Sequence, residues 1–207
     1  MGLYSKYVLP KIIDLAMRNK ETTRLRAEWI PRARGEVLEI GIGSGQNLPF
    51  YSSAVTHVYG VDPSLELQAI ARQKQHIDAS RIKFLVQSAE ERLPVADERI
   101  DTAVITWTLC SIPEPARALI EIKRALKRDG RLIFVENGHS PDHSVAAWQD
   151  KLTPLWKRMT GGCHLNRKID ELLRTAGFHI QELRTLYLPG PRPMTYTYQG
   201  IAEISRS

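Results

Sequence analysis

Val37-Leu38-Glu39-Ile40-Gly41-Ile42-Gly43-Ser44-Gly45-Gln46 is the stretch on which the fold turns. A short apolar run carrying one acid, Glu39, enters a turn with glycine at 41, 43 and 45. A second apolar run, Val58 to Val61, ends on Asp62, 17 residues after Gly45. Glycine admits backbone angles closed to residues with a Cβ and lets the main chain approach a ligand without side-chain collision. A carboxylate at the tip of the following strand can accept two hydrogen bonds from a ribose diol, as in dinucleotide-binding folds about 20 residues after the glycines. Together these features predict a nucleotide-type cofactor site.

The details choose the cofactor. A G-x-G-x-x-G fingerprint counted from Gly41 needs glycine at 46, where Gln46 stands. A pyrophosphate needs no acid beside it, yet Glu39 lies two residues before the first glycine. An acid there suits a ligand bearing an ammonium and a sulfonium. The site therefore reads as one for S-adenosylmethionine, with NAD a remote alternative. Three glycines alone would equally serve a tight strand–helix turn, and it is Asp62 with the rest of the chain that argues otherwise.

Outward from this turn, short apolar runs alternate with amphipathic stretches, the pattern of a parallel sheet covered by helices. A helix is expected from about Ser44, and another through Leu67, Ile70, Ala71, Lys74 and Ile77. Ile82 to Val86 reads as the third strand. Ile100 to Thr106 reads as the fourth, apolar on both sides like a buried parallel strand. Pro113 and Pro115 open a helix with Leu119, Ile122 and Leu126 at helical spacing, and Gly130 is expected to cap it. Leu132 to Val135 is the fifth strand, residues 145–159 an inserted tryptophan-bearing helix, and Arg167 to Ala176 another helix. Two last strands, about 178–187 and 194–204, are split by Pro189-Gly190-Pro191-Arg192-Pro193.

A chain of 207 residues is most simply one domain with a sizeable core. No apolar run approaches the roughly 20 residues that span a bilayer. Lys6, Pro10, Lys11 and Asp14 interrupt the first residues, so no signal peptide is expected. Two cysteines, Cys110 and Cys163, make neither a disulfide framework nor a metal motif, which fits a reducing cytoplasm. The net charge of +6 is concentrated in residues 1–34, where eight basic and three acidic side chains leave +5. Leu3, Tyr4, Tyr7, Val8, Leu9, Ile12 and Ile13 are interspersed there. The preferred reading is a lid helix packing its apolar face on the domain; the alternative is peripheral contact with an anionic membrane. No motif or basic–aromatic row points to nucleic acid. The pattern specifies no oligomeric state.

Four pieces follow one another in a telling order: Leu38 to Gly45, Gly60-Val61-Asp62-Pro63-Ser64, Ser88-Ala89-Glu90 with Leu93-Pro94, and Ala125-Leu126-Lys127-Arg128-Asp129-Gly130. With the closing hairpin, that order resembles the class I S-adenosylmethionine-dependent methyltransferases of the type 11 kind, over roughly residues 35–204. Asp129-Gly130-Arg131 departs from the common Lys-Pro-Gly-Gly by keeping one glycine. Leu109-Cys110-Ser111-Ile112, and Trp156 followed by Gly161-Gly162-Cys163-His164-Leu165, look like the methyltransferase-like seven group of alkyl-thiol methyltransferases. Around the first motif the chain is also similar to small bacterial phosphatidylethanolamine N-methyltransferases. Members of the thiol group carry a hydrophobic N-terminal membrane segment, which residues 1–34 do not match.

The resemblance implies an α/β fold: a Rossmann-like, seven-stranded, mostly parallel sheet with an antiparallel last strand and helices on both faces. It implies a lid segment at 1–34 and a cofactor domain at 35–207 with a helical cap at about 139–165. Glu39 with Gly41, Gly43 and Gly45 would hold the methionine part, and Asp62 the ribose hydroxyls. Pro63 and Ser64 would lie against the adenine. Ser88 stands where many relatives have an aspartate, so adenine recognition would lean on Ala89 and Glu90. Thr106 and Leu109 would line the sulfonium.

Methyl transfer from a sulfonium is an in-line displacement in which alignment supplies most of the rate. It needs no metal. A thiol or protonated amine benefits from a base, and histidine titrates in the right range. Glu136, His139, His143 and His164 are the candidates; His139 comes first because strand carboxyl ends hold ligands in open α/β sheets, and His164 second. Tyr4, Tyr7, Trp107, Trp148 and Trp156 are expected around an apolar acceptor pocket, though Trp148 and Trp156, eight apart, would equally pack a core. Cys110 reads as a small buried apolar residue, since the transfer needs no covalent enzyme intermediate. The expected activity is methylation of a small, fairly apolar acceptor, sulfur favoured. A phospholipid headgroup or small amine, and a non-catalytic cofactor-binding module, are the alternatives.

Overall fold

Strands with buried runs on both faces need helical cover on both sides, and the chain supplies it. The computed structural model describes residues 14–15, 17–74 and 79–205. Among these, seven strands form one sheet: β1 (Gly35–Ile40), β2 (Val55–Val61), β3 (Ile82–Leu85), β4 (Ile100–Thr106), β5 (Leu126–Asn137), β6 (Phe178–Tyr187) and β7 (Tyr196–Ile204). Their order is β3-β2-β1-β4-β5-β7-β6. The first five pair in parallel, and β7 runs antiparallel to both β5 and β6. This is the expected sheet, with its reversed last strand.

Alternation along the strands separates two cores. Leu38, Ile40, Ala103, Ile105, Leu132 and Phe134 pack with Leu119 and Ile122 of α3 (Pro115–Ala125) and Leu173 of α5 (Ile169–Thr175). Val37, Val58, Val104, Ile133 and Val135 pack with Leu25 and Trp29 of α1 (Lys20–Trp29), followed by Ile30 and Ala33. Asn19 caps α1 by accepting the Glu21 and Thr22 amides at 3.0 and 2.9 Å. The Trp29 indole N–H donates to Gln199 on β7 at 2.6 Å, so the buried ring loses no hydrogen bond. Residues 20–34 are thus a layer of the fold, and packing continues across the 34/35 boundary.

Some expectations need correction. No α-helix starts near Ser44: residues 41–47 form turns that lead into a short 3-10 turn, Leu48–Phe50, with Pro49 inside it. The helix opened by Pro115 stops at Ala125, so Gly130 does not cap it. Gly130 lies within β5, where a Cβ would come within 2.9 Å of the Lys127 carbonyl oxygen. β5 accordingly begins at Leu126, with a register shift in its pairing to β4. The helix after β2 is α2 (Leu65–Gln73), and the inserted helix, α4, spans His143–Met159. No helix among the described residues is long and apolar enough to cross a membrane.

Candidate active site

β1 and β4 are neighbours, but the chain leaves β1 toward β2 and β4 toward β5. Loops that diverge in this way open a crevice at the strands' carboxyl ends. A cavity of about 470 Å³ lies there, between the turn after β1 and the loop after β4.

The β1 turn is tied to its neighbour, the Gly41 and Ile42 amides donating to the Val61 carbonyl at 2.8 and 3.1 Å. A Cβ at Gly41, whose φ is +73°, would collide with the Thr108 side chain. A Cβ at Gly43 would instead project into cavity space, with Asp62 Oδ2 3.9 Å away. The Gly43 amide donates to that oxygen at 3.0 Å, and the Ser64 amide to Oδ1 at 2.8 Å. Burial raises the Asp62 pKa against those two amides. A carboxylate has about four lone-pair sites, so each oxygen can accept again from the cavity.

At the inner end, Glu39 is 1% exposed. It accepts from Asn47 Nδ2 at 2.9 Å and the Tyr51 hydroxyl at 2.8 Å. Burial pushes its pKa up to about 7. Arg26, 4% exposed, also lines the cavity, donating from Nε to Asn47 Oδ1 at 3.1 Å and from Nη1 to the Met17 carbonyl at 2.8 Å. Its Nη2 has no hydrogen-bond partner among the described residues, and the guanidinium lies 4.8 Å from the Trp107 ring centroid. Burial lowers the Arg26 pKa to about 10, so it stays charged at neutral pH. One end of the cavity therefore presents a buried acid and a buried cation together. The sequence reading missed Arg26. The signal was there: Arg26 shares a helix face with Thr22, Leu25 and Trp29, so a charge falls on the buried stripe.

Asp14 and Met17 bring the N-terminal segment to the same cavity. The Asp14 carboxylate accepts from Ser44 Oγ, from Gln46 Nε2 at 2.5 Å and from Lys74 Nζ at 2.8 Å. Burial raises its pKa, yet Lys74, Ser44 and Arg18 hold it at about 2. Pro63 and Leu67, after β2, and Ser88, Ala89 and Glu90, after β3, also line the cavity. Glu90 is engaged locally, accepting from Ser88 Oγ at 2.9 Å and the Glu114 amide at 2.7 Å.

The end of β4 contributes Thr106, and the loop after it Trp107, Thr108, Ser111, Ile112 and Pro113. Trp107 has φ +47°, a left-handed conformation unusual for a large side chain. Glu136 holds this loop. It is 0% exposed and accepts the amides of Thr108, Leu109 and Cys110 at 2.7, 2.9 and 3.2 Å. Burial raises its pKa to about 7 against those amides. Glu136, one of the candidate bases in the sequence, clamps the main chain here.

Other expected residues fall elsewhere. Leu109 is fully buried and does not reach the cavity. Gly45, with φ +74°, serves packing: a Cβ there would meet Leu48 Cδ1 at 2.8 Å and Ala71 Cβ at 3.1 Å. His139 is not brought to the cavity; its amide donates to the Arg167 carbonyl at 2.7 Å and its carbonyl accepts from the Tyr198 hydroxyl at 2.6 Å. His143 starts α4 at the surface, and Trp148 is 58% exposed on the same helix. Trp107 does line the cavity. Tyr4 and Tyr7 lie outside the described residues. His164 sits in the turn after α4 and is not itself among the residues lining the cavity, which Thr160 and Gly161 just before it reach. Its Nδ1 lies 3.1 Å from the Cys110 carbonyl oxygen. A carbonyl only accepts, so Nδ1 carries the proton and Nε2 keeps a lone pair. Burial lowers the His164 pKa.

The methyltransferase domain family model matches residues 38–134. Human thiol S-methyltransferase TMT1B is 33% identical over 186 residues, covering 84% of this chain and 75% of that one. The chain belongs to the class I S-adenosylmethionine-dependent methyltransferases. It spans 64% to 75% of the length of the TMT1B proteins of rat and human. The phosphatidylethanolamine N-methyltransferase of Cereibacter sphaeroides is 36% identical over 119 residues, 56% of this chain and 58% of that one. The solved S-adenosylmethionine-dependent methyltransferase of Leishmania major superposes with a TM-score of 0.70 at 13% identity, covering 97% of this chain and 80% of that one, which speaks for the fold alone. The family's methyl donor fits the lining. An amino-acid zwitterion matches the Glu39–Arg26 end, a ribose diol matches Asp62, and the space over Gly43 leaves main chain open to a ligand.

Proposed function

We propose that the chain transfers a methyl group from S-adenosylmethionine to a small, apolar thiol. The buried acid and cation at the inner end of the cavity carry this reading, because they match the charges of a methionine moiety and fix which way it lies. Glu39 takes the ammonium, Arg26 Nη2 the carboxylate and Asp62 the ribose hydroxyls. The Gly41 and Gly43 main chain lies beneath, Pro63, Ser88 and Ala89 flank the adenine, and Thr106 stands beside the sulfonium. The bound cofactor supplies an electrophilic methyl group. The chain's own residues align the acceptor and exclude water, with Trp107, Ile112, Pro113 and Met17 making an apolar mouth. His164, in the turn that follows the cavity-lining Thr160 and Gly161, is the candidate for taking the thiol proton. The thiol is favoured by the apolar mouth and by what the TMT1 relatives methylate.

The test is incubation with methyl-labelled cofactor and a panel of alkyl thiols, amines and lipid vesicles. Label in a thioether supports the reading. Label only in amines or lipid overturns the choice of acceptor, and tight cofactor binding with no transfer makes the chain a binding module.

One observation favours a lipid headgroup as the second reading. Trp148, Leu155 and Met159 are exposed on one face of α4, beside Lys151 and Arg158, an arrangement that suits an anionic bilayer surface. Failure to co-sediment with anionic vesicles at low salt ends that reading.

A further inference from the structure

Two thiols that the methyl transfer does not use face each other next to residues that line the cavity. Cys110, in the loop after β4, is buried, and Cys163, in the turn after α4, is half-buried. Their sulfurs lie 3.3 Å apart. The main chain holds them in register, the His164 amide donating to the Cys110 carbonyl at 2.9 Å. Ser111 and Ile112, just after the first cysteine, and Thr160 and Gly161, just before the second, line the cavity.

We propose that Cys110 and Cys163 form a modifiable dithiol that closes to an intramolecular disulfide by exchange with a low-molecular-weight disulfide, and that closure narrows the cavity mouth. The bond-forming step is independent of which acceptor the chain methylates.

The two thiols suit the two successive roles. The neighbouring Cys110 thiol, aided by Trp156, holds the Cys163 pKa below the usual thiol value, and Cys163 is the more exposed. Contact with Cys163 and burial push Cys110 up. Cys163 thiolate attacks one sulfur of R–S–S–R; that bond breaks and RS⁻ leaves to take a proton. Cys110 then gives its proton to Glu136, whose carboxylate lies within reach, and attacks Cys163 Sγ, expelling the second RS⁻. The proton passes from Glu136 to that leaving thiolate. Two protein thiols lose two hydrogens, and one disulfide becomes two thiols. A disulfide holds its sulfurs at about 2.05 Å, so closure draws the 160–165 turn toward the β4 loop by roughly 1 Å.

The experiment treats the full chain with oxidised glutathione and reads intact mass, a non-reducing peptide map, cofactor affinity and methyl transfer. The expected product lacks two hydrogens, and its map joins the Cys110 and Cys163 peptides. Transfer should fall at least about tenfold, since a misplacement of about 1 Å can cost roughly 100-fold. Cofactor affinity should change less than about twofold, because the moved residues sit at the acceptor end. Dithiothreitol should restore transfer. Cys163→Ser should keep the starting activity and resist the treatment, and Cys110→Ser should stop at a mixed disulfide on Cys163. A wild-type chain that accumulates only mixed disulfide, or closes without losing transfer, overturns the proposal. Mass and map read the dithiol even where no acceptor is methylated, so this failure and that of the functional reading are separable.

Discussion

Two loops cross the carboxyl ends of the central strands, and each is clamped by an acid from the next strand outward. After β1, the turn takes its left-handed angles at Gly41, Gly43 and Gly45, where they cost little, and Asp62 beyond β2 holds a single amide of it. After β4, the left-handed residue is Trp107, and Glu136 of β5 holds three consecutive amides. A strained backbone of that kind costs on the order of 1–3 kcal/mol and persists only where its surroundings enforce it. The difference is one of service. Asp62 uses one acceptor site per oxygen on the chain and keeps the others for a ligand. Glu136 gives three of its roughly four acceptor sites to the chain, which sets a tryptophan as a wall of the cavity.

The largest effect should come from breaking the second clamp. Glu136→Ala leaves three buried amides without an acceptor, and at about 1–3 kcal/mol each, partly relieved by water, the loss should be about 4 kcal/mol in denaturant unfolding. Glu136→Gln, which can still accept through one oxygen, should lose less and should lower turnover more than cofactor affinity. Equal losses in both would mean that the β4 loop holds the cofactor and that the division of labour is wrong.

Breaking the first clamp should read out in binding. Asp62→Ala should weaken cofactor binding on the order of 100-fold by calorimetry, the worth of two charge-assisted hydrogen bonds, while the chain stays folded. Undiminished affinity would remove Asp62 from the site. Arg26→Ala should cost about tenfold in the same measurement, and cofactor analogues lacking the carboxylate should not distinguish wild type from variant.

Glu39 sharpens the comparison through pH. Its folded pKa, raised from 4.5 to about 7, means that its favourable contribution to stability is present below pH 4.5 and is lost as pH rises through 7. A cationic ligand draws it back to the charged form. Cofactor affinity should therefore rise between pH 6 and 8, by up to about tenfold per unit, and Glu39→Gln should flatten that rise. The same variant without cofactor should be more stable than wild type at pH 8, by about 1–3 kcal/mol. A pH-independent affinity in wild type would show that Glu39 does not meet the ammonium.

How much of this was legible follows from distance along the chain. Glu39, the glycines and Asp62 fall within one strand–turn–strand unit, so local chemistry exposed them. Arg26 acts from a helix before that unit, and only its place on a buried face betrayed it. Glu136 was visible as a strand-end acid, but its task depends on the adjacency of β4 and β5, which spacing does not encode. The contact of Cys110 with Cys163 spans 53 residues and two loops. The expected helix after Ser44 failed for a local reason: the glycine turn runs on through Gly45, whose missing Cβ serves contact with Ala71.

The smallest expected effect falls on the histidine that the strand-end argument put first. Glu136 and His139 are three residues apart, yet Glu136 faces the β4 loop while His139 follows the end of β5 toward Arg167 and Tyr198. His139→Ala should change kcat by less than about twofold, below what loss of a general base costs. His164→Gln should lower kcat with its effect largest below pH 7, where fewer acceptor thiols ionise unaided. The reverse result would place the acceptor over β5 and β7 instead of between the two clamped loops, and the mouth formed by Trp107 and Ile112 would then belong to something other than the methyl acceptor.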